Sequence, residues 1–424
     1  MKSFTKQENS WIFYDWANSA YSIIISTAVF PLFYKASASK AGISASASTA
    51  YLGYTIAIST FILAMLGPIL GTIADYKGFK KKLFSFFFTL GVSFTALLTI
   101  IPNDNWLLLL ICYTITAIGF AGANVFYDAF LVDVTSEERM NKVSARGFSF
   151  GYIGSTIPFI ISIALIVLAQ KELLSISTTL ASKIAFLITA TWWGIFTIPL
   201  MRNVRQNYFI EPEQNPVLNS FKRLGKTFKN IRQYRALFTF LLAYFFYIDG
   251  VGTIITMSTA YGTDLGISST NLLIILFVTQ VVACPFAIIY GKLADQFSSK
   301  IMLYVGIIIY MIVCIYAYFL NSTLDFWILA MLVATSQGGI QALSRSYYAK
   351  LVPKEKSNEF FGFYNIFGKF ASIMGPLIVG LTAQITGRSN MGVFSLIILF
   401  VIGIFFLTRV SEPNNKEVAK TTNY

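Results

Sequence analysis

Apolar residues in this chain run in long stretches, parted by short loops that carry the charge. Twelve such stretches are visible, at about 11–34, 50–74, 83–101, 106–131, 147–169, 184–201, 237–261, 269–291, 301–320, 326–348, 360–383 and 392–408. About 20 apolar residues cross a hydrocarbon core as a helix. The pattern therefore predicts an all-α integral membrane protein with twelve transmembrane helices. Short strands of alternating polarity, the mark of a membrane barrel, are absent. Gly and Pro recur inside the stretches, as helices in a bundle tolerate.

The loop between the second and third stretches reads GTIADYKGFKKK, Gly71 to Lys82, and GKLADQFSSK, Gly291 to Lys300, repeats it. Asp75 and Asp295 are 220 positions apart, and Trp106 and Trp327 keep nearly the same offset. Such an echo predicts two pseudo-symmetric halves built to one plan. The expected division is a six-helix bundle over 1–201, a basic linker over 202–235, a second six-helix bundle over 236–410 and a polar tail over 411–424. Within the linker, Val217, Phe221, Leu224, Phe228 and Ile231 fall on one helical face, with Lys222, Arg223, Lys226 and Lys229 elsewhere. Either an interfacial basic helix or a plain connector fits that pattern.

Composition sharpens this picture. Residues are 56% hydrophobic and only 12% charged, with mean hydropathy +0.66, about half the charge of a soluble domain. The net charge of +13 would suit a nucleic-acid binder, but its placement argues for topology. Nearly all Lys and Arg fall in loops of one side, whereas the other side holds only Lys35, Lys40, Lys171, Lys183 and Arg388. By the positive-inside rule both termini are cytoplasmic, in a multi-pass protein of the cytoplasmic membrane. Ala36-Ser37-Ala38 could pass for a signal-cleavage site, yet the run before it is long and carries Asp15 and Asn18, so a retained helix is expected. Cys112, Cys284 and Cys314 lie inside apolar stretches and suit neither a disulfide framework nor a metal site. Histidine is absent, so any proton carrier must be a carboxylate.

Polar side chains inside the apolar stretches are the candidate chemistry, because lipid penalises them. In the first helix Asp15, Asn18, Ser19, Ser22 and Ser26 form one stripe at helical spacing; it faces a water-filled cavity or a small-residue packing seam. The fourth carries Asn124 and Asp128 on one face, and the seventh Asp249. The tenth carries Gln337, Gln341, Ser344 and Arg345, and the eleventh Lys369. Asp133, Glu137 and Glu138 read as solvated loop charge, and Gly147, Gly151 and Gly154 as a packing ladder.

The loop at Gly71 resembles the signature of the major facilitator superfamily through Gly71, Ile73, Ala74, Asp75, Gly78 and Lys80, although Tyr76 and Phe79 stand where that signature has Arg. The second copy keeps Gly291, Leu293, Ala294, Asp295 and Lys300 but has Ser298 for Gly. YDWANSAY (Tyr14–Tyr21), NVFYDAFL (Asn124–Leu131), SARGFSFGYIGS (Ser144–Ser155), IDGVGTI (Ile248–Ile254), QALSRS (Gln341–Ser346) and EFFGFYN (Glu359–Asn365) resemble the vacuolar amino-acid effluxer family of autophagy and its bacterial relatives. The resemblance implies two six-helix bundles rocking about a central site lined by helices one, four, seven and ten.

The reading is a secondary active transporter rather than an enzyme, with no Walker loop for ATP and no cofactor. It moves a small organic solute, an amino acid by resemblance. Export of amphipathic drugs or lipids, or a non-transporting scaffold or sensor, are the alternatives. Expected substrate contacts are Asp15, Asn18, Asn124, Asp128, Gln337, Gln341 and Arg345. Candidate proton-coupling residues are Asp249, Asp15 and Lys369, with a merely structural Asp249–Lys369 ion pair as the competing reading. Gly71, Asp75, Gly78 and Asp295 are expected in gating loops, where Asp75 can accept from a helix N-terminus or an Arg. Expected partners are the small-molecule substrate, protons and membrane lipid, with no nucleic acid and a monomeric chain.

Overall fold

A computed structural model describes residues 3–211, 216–229, 231–320 and 322–411 of the chain. Twelve long helices follow one another: α1 (Lys6–Lys40), α2 (Ala45–Ala74), α3 (Phe79–Leu97), α4 (Trp106–Ala129), α5 (Met140–Gln170), α6 (Thr178–Asn203), α7 (Arg235–Asp264), α8 (Ser269–Phe297), α9 (Ser299–Tyr318), α10 (Thr323–Leu351), α11 (Ser357–Thr386) and α12, whose two parts, Ser389–Ser395 and Ile397–Thr408, meet at Leu396. A linker helix, Pro216–Lys229, lies between α6 and α7. Among the described residues eleven helices are long and apolar enough to cross a membrane unaided; α3 completes the twelve, its first turn being Lys80, Lys81 and Lys82. The protein has the major facilitator fold. Most of the tail over 411–424 lies outside the described residues, as do Pro212 and the side chains of Val217, Phe228 and Ile231.

The helices outrun the apolar stretches that announced them. Hydropathy marks the lipid-facing length, but a helix continues until its end is capped. α1 starts five residues before the apolar stretch because Thr5 and Glu8 form a capping box, each side chain bonding the other's backbone N–H at 3.1 and 2.7 Å. Its middle, Ser22–Ala28, is π-helical, a wider turn that hydropathy does not register. Large apolar side chains face outward all round, as at Leu32, Ile100 and Ile385, the surface expected against lipid.

The two halves meet along two seams, α2 on α11 and α5 on α8 and α10. Both are tight at the end that holds the linker. A Cβ on Gly71 would lie 2.3 Å from the Asn358 carbonyl, and one on Gly291 2.5 Å from Ala145. Towards the far end α2 and α11 part: Gly53 has open space beside it, and Ile56, Ile373 and Leu377 are exposed. The halves are closed on each other at the linker end and splayed at the far end.

Candidate functional site

The deepest inter-half contact gathers residues from α1, α4, α5 and α10. Arg345 on α10 donates through Nη2 to Asp15 Oδ2 at 2.9 Å and through Nη1 to Asp128 Oδ1 at 3.3 Å. Its Nε donates to Ser144 Oγ at 3.0 Å and its Nη2 also to the Ser144 carbonyl. The guanidinium lies over the rings of Trp11, Tyr127 and Phe148, 4.4–5.4 Å from their centroids. A planar, permanently charged fork suits this double duty of pairing and stacking. Gly147 makes room for it, since a Cβ there would stand 2.3 Å from Asp15 Oδ2. The glycine ladder of α5 is thus a packing feature that admits the ion cluster.

Two carboxylates share one guanidinium, so the cluster carries one negative charge in excess when both are ionised. It closes the floor of the splayed cleft. Above it Asn18 donates to Asn124 Oδ1 at 2.7 Å, Asn365 on α11 faces Asp128, and Gln341 stands one turn above Arg345. Asn124, Asp128, Gln341, Asn365 and Lys369 are all half-buried. A polar surface of that exposure inside an apolar bundle marks a wet cleft. Ser144, Trp11, Phe148 and Asn365 escaped the sequence reading; the motifs SARGFSF and EFFGFYN contained three of them without singling them out.

Several expectations change. The α1 stripe is not one surface: Asp15 and Ser19 turn to α5, Ser19 lying against Gly151, while Asn18 turns to α4 and Ser22 is exposed. Asn18 and Ser19 are about 100° apart round the regular helix, so members of the stripe meet different neighbours; the π-helical turn begins only at Ser22. Asp249 forms no pair with Lys369. It is buried and accepts from the Gly375 N–H at 2.9 Å and from Thr253 Oγ1 at 3.4 Å, because its side chain meets α11 six residues beyond Lys369, about 9 Å along the axis. Among the described residues no carboxylate pairs with Lys369, which lies one turn above Asn365 on the stripe that faces α2 lower down through Ile366. Gln337 is buried beside Tyr152 and borders an apolar cavity of about 70 Å³ within the second half, away from Arg345.

A second charged constellation seals the linker end. Asp75, just past the end of α2, is fully buried. Its Oδ1 accepts from the backbone N–H and the side-chain amide of Asn358, both at 2.9 Å, and its Oδ2 from Arg223 of the linker helix at 3.3 Å. Asn358 and Glu359 open α11, so the carboxylate sits on a helix N-terminus. Burial pushes the Asp75 carboxyl up to about 7; Arg223 and the Asn358 bonds oppose this, while Glu359 adds to it. Beside it Lys80 pairs with Asp133 at 2.5 Å, both side chains wholly buried, and donates to Ser357 Oγ. Asp133 also accepts from the backbone N–H groups of Asn207 and Tyr208. Asp133 is therefore buried structural charge, not the solvated charge expected, because chain 53 residues before it and 74 after it folds over it. Gly78, at φ +78°, takes the left-handed turn that starts α3. Asp295, at the equivalent loop, is exposed and accepts only from the Asn141 amide at 3.2 Å among the described residues.

Comparison with known proteins agrees with the fold. The family profile described as "Vacuole effluxer Atg22 like" matches residues 5–420. The chain is 73% identical over 423 residues to the uncharacterized MFS-type transporter YxiO of Bacillus subtilis (strain 168), covering 100% of this chain and 99% of that one. It is 24% identical to autophagy-related protein 22 of Kluyveromyces lactis, over 83% of this chain and 77% of that one. Among solved structures, the proton:xylose symporter XylE superposes with a TM-score of 0.74 at 12% identity, covering 98% of each chain.

Proposed function

The chain belongs to the vacuole effluxer Atg22-like family of major facilitator transporters, and on that premise we propose that it moves a small zwitterionic solute, an amino acid, by alternating access across the cytoplasmic membrane. The observation that carries this reading is the cluster of Asp15, Arg345 and Asp128 between the halves, with half-buried Lys369 one turn from Asn365 on α11. The spare negative charge of the cluster suits the ammonium of an amino acid, and Lys369, half-buried, suits its carboxylate. The linker end, where the chain's basic loops gather, is the cytoplasmic side by the charge rule. The Asp15–Arg345 and Asp128–Arg345 pairs cross between halves, so they must break when that end opens. Arg345 then holds carboxylates in one state and releases them in the other.

Asp249 is the proton carrier in this reading. It is a buried carboxylate with two neutral donors and no cation among the described residues, so proton uptake there removes an uncompensated charge.

Uptake by proteoliposomes tests both parts. Unlabelled amino acids should compete with a labelled amino acid, and matched amines or carboxylic acids should compete poorly. Competition by all three classes alike would refute the zwitterion reading. Asp249→Asn should abolish proton-driven accumulation while leaving substrate exchange intact. Accumulation at the wild-type level in that variant would transfer coupling to another residue or ion.

A further inference from the structure

Four cations that the transport cycle does not use converge at the linker end. Lys77 of the α2–α3 loop, Lys81 and Lys82 of the first turn of α3, and Arg205 beyond α6 line an open cavity of about 650 Å³. The fold brings them together by stitching the loop to the segment after α6. The Lys77 N–H donates to the Ile210 carbonyl at 3.1 Å, and the Ile210 N–H to the Asp75 carbonyl at 2.8 Å. Gln206 completes the stitch, accepting from the Gly78 N–H at 2.9 Å and donating to the Ala74 carbonyl at 3.0 Å.

Among the described residues counter-charge is scarce there. Glu211 pairs with Lys77 at 3.3 Å, but both side chains are more than half exposed, a pairing of little strength. Lys81 donates to the Val204 carbonyl and sits within electrostatic reach of Arg205. Lys82 and Arg205 are exposed and form no ion pair among the described residues. The positive end of α3 adds its own field at Gly78. The four side chains nonetheless line one concavity, with Lys81 anchored to the Val204 carbonyl. The cavity also sits at a defined depth: Phe86, one turn along α3 from Lys82, is exposed as lipid-facing surface. The mouth therefore lies where apolar helix gives way to charge, the level of lipid headgroups.

We propose that this pocket binds a phosphate group, presented at that depth by the headgroup of an anionic lipid. A phosphate there bridges α3 to the segment 204–211 and so clamps the loop that carries Asp75, favouring the form closed at the linker end. The same chemistry would accept inorganic phosphate.

Native mass spectrometry and thermal unfolding of the purified full chain test this with three probes: phosphatidylglycerol, phosphatidylcholine and inorganic phosphate. Phosphatidylglycerol should be retained and raise the unfolding temperature, and phosphatidylcholine should not. Lys82→Gln with Arg205→Gln, both exposed and without an ion pair among the described residues, should fold normally and weaken retention roughly thirtyfold, from the loss of two near-surface cations. The control pair Lys6→Gln with Lys292→Gln, exposed at the same end, should leave retention unchanged. Stabilisation by inorganic phosphate alone, lost in Lys82→Gln/Arg205→Gln, would support the phosphate site and name the free anion as its occupant. The proposal is overturned if neither phosphate probe stabilises the protein, if the effect survives in Lys82→Gln/Arg205→Gln, or if the control pair weakens it as much.

Discussion

The two copies of the repeated loop occupy matching places and do different work. Asp75 meets the first turn of α11, and Asp295 meets that of α5; in each case an Asn near the helix start, Asn358 or Asn141, faces the aspartate. At the first seam the carboxylate is buried, with backbone N–H groups, an amide and Arg223 around it. At the second it is exposed, and Asn141 spends its Oδ1 on the hydroxyls of Ser299 and Ser346 instead. The linker is the source of the difference. It joins the halves once, so its Arg223 and its segment 204–211 reach only the first seam. Besides changes within the copies, such as Ser298 for Gly78, the connector sets them apart: it surrounds the aspartate of the first with donors and leaves that of the second with a single amide among the described residues.

Breaking the dry ion pair of the first seam should have the largest effect. Asp133→Asn strands Lys80 without a carboxylate at a fully buried site and should cost about 3–5 kcal/mol in thermal unfolding. Lys80→Met combined with Asp133→Asn, which removes the stranded charge and keeps the Oδ1 that the Asn207 and Tyr208 N–H groups use, should recover most of that. A loss below about 1 kcal/mol in the single variant would mean that water reaches the pair and that the seam is no drier than its counterpart.

Removing the two aspartates compares the seams directly. Asp75→Ala leaves the N–H and amide of Asn358 without their acceptor, while Arg223 keeps Glu359 and the Thr72 carbonyl, at a cost of about 1–3 kcal/mol. Asp295→Ala should stay within about 0.5 kcal/mol, as for an exposed surface group. Hydrogen exchange at the first turns of α11 and α5 would report each seam separately, and equal responses would erase the asymmetry. The turn glycine differs as well: Gly78→Ala should cost about 1–2 kcal/mol by its positive φ alone, since the space beside it is open.

Only the first seam should respond to pH. Burial raises the Asp75 carboxyl from 3.8 to about 7, so the closed seam holds its proton more tightly than a hydrated, open one. Its contribution is full below about pH 4 and is lost as pH rises through about 7. Exchange protection of the α11 first turn should therefore fall between about pH 4 and 7, and Asp75→Asn should flatten that profile. The same fall at the α5 first turn would point to a global cause. The smallest effect is expected at Ser298, which holds φ +99° where the first copy has Gly78. Ser298→Gly should stabilise by less than about 1 kcal/mol, because it relieves the backbone but loses the hydroxyl that accepts from the Ile301 N–H.

Much of this was legible in the chain itself. The twelve apolar stretches correspond to α1–α12, with ends displaced by caps such as Thr5. Asp15, Asp128 and Arg345 stood out because charge inside an apolar helix needs a reason, and the structure places them in one cluster. Asp133 misled because its neighbours, Thr135 to Arg139, are polar, and nothing local announces that Lys80 will bury against it. Asp249 and Lys369 invited pairing as opposite charges at similar depth, but helix rotation aims one at Gly375 and the other along the α2-facing stripe.

By itself the sequence determined the class of fold, the number of membrane crossings and the duplication, because each follows from a one-dimensional rule. Lipid demands about 20 apolar residues per helix, and a copied loop keeps its residues at a copied offset. Which polar groups meet was decided only by the tertiary structure. Pairing depends on how far each helix is turned and slid against its neighbours, and on where a single linker comes to rest. Those are three-dimensional quantities, and side chains as far apart in the chain as Asp15 and Arg345 carry no local signal of them.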